Sequence, residues 1–221
     1  TFKDYWSASL GVATSNLDTI GQGIADVGTV CTLYTPTQLP LSQITYCVPF
    51  APDDVEMASQ LMYKISEKYP EMLVGAGTVL TTEQVDRAVA AGAKFIVSPG
   101  FNPKVVKYCI DRDIPVTPGT QTPSEMEQAI EMGLDVVKFF PAEPAGGLKM
   151  IKAVAAPYTM LQFMPTGGIN LNNVEEYLEY DRILACGGSW MVKGDLVKAG
   201  KFDEIQKMTA DAAALVKKIR G

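Results

Sequence analysis

An α/β fold, and within that class an eight-stranded (β/α)8 barrel of the TIM type, is what this sequence predicts, on three observations. Short apolar runs alternate with longer amphipathic segments from residue 44 onward, which is the pattern of βαβ units and a parallel sheet. Small glycine-rich or polar turns follow one apolar run after another, at the strand ends where barrel enzymes build their sites. The length of 221 residues suits one large domain, and α/β barrels commonly run near it. A doubly wound open sheet is the competing arrangement, but it usually shows one phosphate turn near its start rather than decorated turns after most strands. Residues 1–221 are accordingly read as a single barrel domain.

Taken in order, the first 52 residues are atypical in composition. Between Tyr5 and Pro52 only Asp18 and Asp26 are charged, and no arginine precedes Arg87. A barrel helix facing water carries several charges. Residues 17–27 come closest to such a helix and are weakened by Gly21 and Gly23. Seven strands are expected at residues 44–48, 73–76, 94–97, 114–117, 135–140, 161–165 and 183–186. An eighth must lie within residues 1–43 if the sheet closes. Helix starts are legible between them. Thr81 and Gln84 form a capping box ahead of Val85, Ala88 and Val89. Asn102 with Pro103 is an N-cap followed by proline at the first helical position. Thr122, Pro123 and Glu125 combine both signals, and Gly92 and Gly133 sit where helix C-caps belong.

Composition excludes several functions. A hydrophobic fraction of 47% with 20% charged residues is ordinary for a globular chain, so a packed core is expected. The formal net charge of −6 without a basic cluster argues against nucleic acid and anionic membranes as partners. The longest apolar stretches are too short to span a bilayer. Lys3 is followed by Asp4, with no apolar h-region and cleavage pattern, so no signal peptide is expected. Cys31, Cys47, Cys109 and Cys186 are widely spaced and form no CxxC pair, which suits reduced thiols in the cytoplasm. The chain has no histidine. Ser-His and Cys-His nucleophile pairs are thereby removed, as is an imidazole-held zinc site. Proton transfer must fall to carboxylates, lysine, tyrosine, cysteine or water.

Lys138 stands out against this background. It lies within Asp135-Val136-Val137-Lys138-Phe139-Phe140-Pro141-Ala142-Glu143, an apolar run of the kind that forms a strand buried on both faces. A lysine there loses hydration, which disfavours its charged form, and a neutral amine attacks carbonyls to give Schiff bases. The alternative is a lysine that carries its charge to solvent at the strand end. Two late glycine turns favour the first reading: Pro165-Thr166-Gly167-Gly168-Ile169-Asn170 and Cys186-Gly187-Gly188-Ser189-Trp190. Turns after the seventh and eighth strands are the usual phosphate cradle of barrels, and they work through backbone N–H groups. An imine-forming lysine beside such a cradle makes a coherent site for a phosphorylated oxo compound.

Six motifs in order then carry a resemblance. They are Val74-Gly75-Ala76-Gly77-Thr78-Val79, Ile96-Val97-Ser98-Pro99-Gly100, Pro118-Gly119-Thr120, Lys138-Phe139-Phe140-Pro141-Ala142-Glu143 with Gly146-Gly147, Pro165-Thr166-Gly167-Gly168, and Gly187-Gly188-Ser189-Trp190. Residues 73–201 resemble the 2-keto-3-deoxy-6-phosphogluconate (KDPG) / 4-hydroxy-2-oxoglutarate (KHG) aldolase family of class I aldolases. The resemblance implies cleavage of KDPG to pyruvate and glyceraldehyde 3-phosphate by a homotrimer with no metal or organic cofactor. It implies that Lys138 forms the carbinolamine and imine, and that Thr78 with neighbouring amides holds the pyruvate carboxylate. Pro99 and Phe140 would line the pocket, while Thr166, Gly167, Gly168, Gly188 and Ser189 would bind the distal phosphate. For Thr78 and Ser189 a turn-capping hydroxyl is the competing role, and for Phe140 it is core packing. Gln43 stands at the catalytic position where the family keeps a glutamate general base, and an amide does not shuttle protons. The family's arginine at the end of the first strand has no match. Glu143 is the nearest remaining carboxylate in sequence and could substitute only if its side chain turns inward. Two further readings therefore stay open. One is an aldolase for the galactonate epimer or for unphosphorylated KHG; the other is a non-catalytic barrel that binds a phosphorylated sugar acid or serves as an assembly scaffold.

Overall fold

The computed structural model describes residues 55–70 and 72–221, and from α1 to β6 helices are interleaved with parallel strands. The elements are α1 Val55–Lys68, β1 Gly75–Ala76, α2 Thr82–Ala90, β2 Phe95–Val97, α3 Pro103–Ile110, β3 Val116–Thr117, β4 Gly119–Thr120 and α4 Pro123–Glu131. They continue with β5 Val136–Phe139, α5 Gly147–Ala155, β6 Gln162–Pro165, α6 Val174–Glu179, α7 Gly194–Lys198 and α8 Phe202–Arg220. The expected strand at 44–48 lies outside the described residues.

The start signals act as expected. The Thr81 hydroxyl accepts from the Gln84 N–H at 3.3 Å, and the Gln84 side chain accepts from the Thr81 N–H at 3.2 Å. Asn102 accepts from the Lys104 N–H at 3.1 Å. The Glu125 carboxylate accepts from the N–H groups of both Gln121 and Thr122 at 2.8 Å. Each bond supplies an acceptor for a backbone donor near the start of a helix, where the first turn leaves four without a helical partner. Gly92 and Gly133 close α2 and α4 with φ of +98 and +80, a conformation that costs other residues energy.

The strands pair in sequence order. β1, β2 and β3 form one three-stranded parallel sheet, and β4, β5 and β6 form another. Only Pro118 separates β3 from β4, so one run of chain, residues 116–120, joins the two sheets. β3 pairs back to β2 through Ile96↔Val116, and β4 pairs forward to β5 through Gly119↔Lys138. The sequence reads Pro118-Gly119-Thr120 as a turn, whereas Gly119 and Thr120 continue the strand. Gly119 is small for reasons of space, because a Cβ there would overlap the Pro99 carbonyl.

A second correction concerns residues 183–186, which make isolated bridges instead of a strand, Phe163↔Ile183 and Thr166↔Gly187. Pro165 explains the break. Phe163 donates to the Arg182 carbonyl and accepts from the Leu184 N–H, at 2.8 and 2.9 Å. Pro165 has no N–H to continue the ladder, and its carbonyl accepts from Gly187 at 2.9 Å, one residue later than the regular register.

Side-chain alternation divides the molecule into layers. Ile96, Val137, Phe139, Phe163 and Ile183 face outward into two large clusters shared with the helices. Val97, Met164 and Ala185, with Phe95 against them, form a separate inner cluster. In a flat sheet β2 and β6 would stand roughly 14 Å apart, three strand spacings. Their inner side chains meet because the sheet curls. Gly119→Ala should lower stability by about 1–3 kcal/mol, the typical cost of overpacking. Urea denaturation checks this, and an unchanged midpoint would contradict the close approach of Pro99.

Candidate active site

Lys138 follows Val137 and precedes Phe139 on β5. Both neighbours are fully buried toward the helices, so Lys138 projects to the opposite, inner face. It is only 7% exposed. Its backbone is held on both sides, paired with Gly119 on β4 and Met164 on β6. The Lys138 N–H donates to the Pro118 carbonyl at 2.9 Å, and the buried Thr120 hydroxyl donates to the Lys138 carbonyl at 3.2 Å. Lys138 Nζ lies 4.5 Å from the centroid of the half-buried Phe140 ring.

The turn after β6 is fastened to the loop after β5. Thr166 donates to the Phe139 carbonyl at 3.0 Å, Ala142 to Thr166 at 2.8 Å and Glu143 to Gly167 at 3.0 Å. Gly167 and Gly168 have φ of +94 and +88. A Cβ on Gly167 would lie 3.3 Å from the Phe140 ring, so the ring contacted by the lysine also abuts this turn. Lys138, Phe140, Thr166, Gly167 and Gly168 are thus brought together. The Thr166 hydroxyl is buried with no hydrogen-bond partner among the described residues. A buried hydroxyl without a partner costs about 1–3 kcal/mol, and an acceptor supplied by a ligand would recover part of it.

The remaining sequence candidates stand at the same end of the parallel strands. Pro99 follows β2, and its carbonyl lies against Gly119, the strand partner of Lys138. Thr78 follows β1, and Val79 ties this turn to β2 by donating to the Val97 carbonyl at 3.2 Å. Thr78 has a φ of +58, which is rare for a β-branched residue and is the kind of backbone outlier that clusters at ligand sites. Gly188 is buried beneath the Trp190 ring, and Ser189 is exposed. Gln43 lies outside the described residues.

Two contacts escape sequence reasoning. Tyr177, on α6, donates from its phenol to Glu143 Oε1. Glu143 is therefore engaged with Tyr177 beside the glycine turns. No local signal joins residues 34 positions apart. Thr120, supporting the Lys138 carbonyl, is the second. Among the described residues no group of three acidic, cysteine or histidine side chains could hold a metal ion. No helix among them is long and apolar enough to cross a membrane.

Residues 44–208 match the family model described as KDPG and KHG aldolase. The chain belongs to that aldolase family. A 2-dehydro-3-deoxy-phosphogluconate aldolase of Treponema pallidum is 48% identical over 160 residues, covering 72% of this chain and 76% of that protein. The KHG/KDPG aldolase of Escherichia coli K12 is 41% identical, covering 71% and 74%. Among solved structures, the KDPG aldolase of Legionella pneumophila, with pyruvate captured at low pH as a covalent carbinolamine, superposes with a TM-score of 0.66. It is 35% identical and covers 75% of this chain and 77% of that one. The KDPG aldolase of Zymomonas mobilis with 3-phosphoglycerate gives 0.65 at 36% identity, covering 74% and 75%.

Both described thiols of this aldolase are buried. Desolvation raises Cys109 to about 11 and Cys186 to about 12, from an ordinary 9.0. Tyr177 is also raised, first by burial and then by its bond to Glu143. Above the ordinary thiol value the unfolded chain releases protons that the native state keeps. The unfolded state then binds fewer protons, so stability falls as pH rises. Urea midpoints should therefore decline from about pH 9 toward about pH 11, and less steeply in Cys186→Ala. A flat profile would contradict the burial of these groups.

Proposed function

We infer that this chain is a class I aldolase that cleaves KDPG to pyruvate and glyceraldehyde 3-phosphate through an imine on Lys138. The observation that carries the reading is a buried lysine on the inner sheet face, beside glycine turns closed by Thr166 to Gly168. The neutral amine of Lys138 adds to the C2 ketone to give a carbinolamine, which loses water to form the iminium. Loss of the C4 hydroxyl proton breaks the C3–C4 bond and expels the aldehyde. The electron pair moves into the iminium and leaves an enamine. Protonation at C3 and hydrolysis release pyruvate and regenerate the amine.

In this reading Thr78 and the amides beside it hold the carboxylate end, Pro99 and Phe140 wall the reacting carbons, and Thr166, Gly167, Gly168, Gly188 and Ser189 receive the phosphate. The curled sheet, with β2 and β6 sharing one inner cluster, supports closure into an eight-stranded barrel over residues 1–221. Assembly as a homotrimer rests on the family resemblance, and a cytoplasmic setting rests on the wide spacing of the four cysteines. Gln43 favours the second reading, a non-catalytic phospho-sugar-acid binder, since a glutamine cannot carry the proton that the C4 hydroxyl gives up.

Borohydride reduction in the presence of pyruvate should leave a mass adduct on the Lys138 peptide. Lys138→Met should show neither adduct nor pyruvate release in a lactate dehydrogenase-coupled assay. An unmodified Lys138 would sink the imine, and turnover no faster than in Lys138→Met would favour the binder. Gln43→Glu should raise kcat by roughly 100-fold or more, the usual worth of a positioned general base. No gain would mean that the proton leaves by another route.

A further inference from the structure

Glu143 and Tyr177 are assigned no step in the imine chemistry inferred above, yet Glu143 is fitted closely to Gly168 of the glycine turn after β6 and Tyr177 holds Glu143. The Glu143 stem lies flat on Gly168, where a Cβ would fall 2.6 Å from Glu143 Cγ. The Glu143 carboxylate sits over Gly147, where a Cβ would fall 2.9 Å from Oε1 and 3.2 Å from the Tyr177 hydroxyl. Both glycines have positive φ, +88 and +62. The backbone runs the same way: Glu143 donates to Gly167 at 3.0 Å, Gly146 donates to Glu143 at 3.1 Å, and Gly147 donates to Ala142 at 2.9 Å.

Tyr177 ties this assembly to the core. The residue is 1% exposed and packs in the large cluster with Ile151, Phe163 and Leu178. Its phenol donates to Glu143 and lies against Gly147 at the start of α5. One rigid ring therefore fixes the first turn of α5, the 141–147 loop and, through Glu143, the glycine turn.

We propose that the Glu143–Tyr177 pair is a positioning device that sets the phosphate-binding turn and so gives this aldolase its preference for a phosphorylated over an unphosphorylated 2-keto acid. The proposal rests on the function inferred above. A carboxylate beside an anion cradle is tolerable only if it is held away from the anion. The phenol does so by engaging Oε1 on the Gly147 side. Without the phenol, Glu143 is released to approach the dianion, which its charge repels, and the turn loses its support.

The test compares wild type, Tyr177→Phe, Glu143→Gln and the double variant on KDPG and KHG. Phenylalanine keeps the buried ring, and glutamine keeps an acceptor oxygen, so the fold survives in both; melting temperatures verify this. In Tyr177→Phe the ratio of kcat/KM for KDPG to that for KHG should fall about tenfold or more, through KM, which is the signature of lost binding rather than lost chemistry. Glu143→Gln should change the ratio less. The double variant should recover part of it, because the repelling charge is gone. Borohydride trapping of pyruvate on Lys138 should match wild type in all three variants, and binding of inorganic phosphate, measured by calorimetry, should weaken only in those that lose the ratio. Equal loss on both substrates, or no change in the ratio, would overturn the positioning role. Absence of trapping in wild type would instead overturn the aldolase reading, and the phosphate titration would still decide whether Tyr177 sets the cradle.

Discussion

Val137 and Phe139, both fully buried under the helices, hold β5 in the one register that turns Lys138 to the inner face. Strand side chains alternate with a period of two, so a slip of one residue would send the lysine outward and leave two apolar side chains inside. The pairing partners reinforce this constraint from both sides, with Gly119 on β4 and Met164 on β6. Phe140, the loop beyond it and the turn at 166–168 are then placed relative to an amine whose direction is already settled. The packing of its neighbours thus sets the direction of the amine.

Two prolines shape the sheet around that strand. Pro118 lies between a segment paired to β2 and a segment paired to β5, while its carbonyl takes the Lys138 N–H. Pro165 stops the ladder to the segment beyond it, and pairing resumes one residue late at Gly187. An extra residue in one strand bends it and re-aims the residues beyond the bend. Here it re-aims Gly187 and Gly188, the turn expected to share the anion with Thr166. A missing donor thus becomes a means of steering the chain at its functional end.

Much of this is legible in the sequence. Thr81, Asn102 and Thr122 announce their helices because capping is local and each signal spans only a few residues. Lys138 is visible because a cation inside an apolar run breaks a local pattern. Gly119 misleads for an instructive reason: its smallness suggests a turn, but it reflects the Pro99 carbonyl, 20 positions away in the chain and invisible in it. The failed strand at 183–186 has a similar origin, since the interruption lies in Pro165 on the neighbouring strand. Tyr177 escapes altogether. A buried tyrosine on a helix looks like core, and only its phenol, meeting Glu143 across the fold, says otherwise. Gln43 falls among residues the structure does not describe, so the departure it represents rests on sequence alone.

The Thr166 hydroxyl, buried without a partner among the described residues, has a consequence for the life of the protein in a cell. An acceptor that reaches this buried hydroxyl gains a hydrogen bond that the protein alone does not supply. Anything that binds the native chain and not the unfolded one shifts the folding balance by mass action. Degradation of marginally stable proteins tracks the unfolded fraction. A ligand whose oxygens reach this hydroxyl would therefore favour the folded chain and lower the fraction open to proteases.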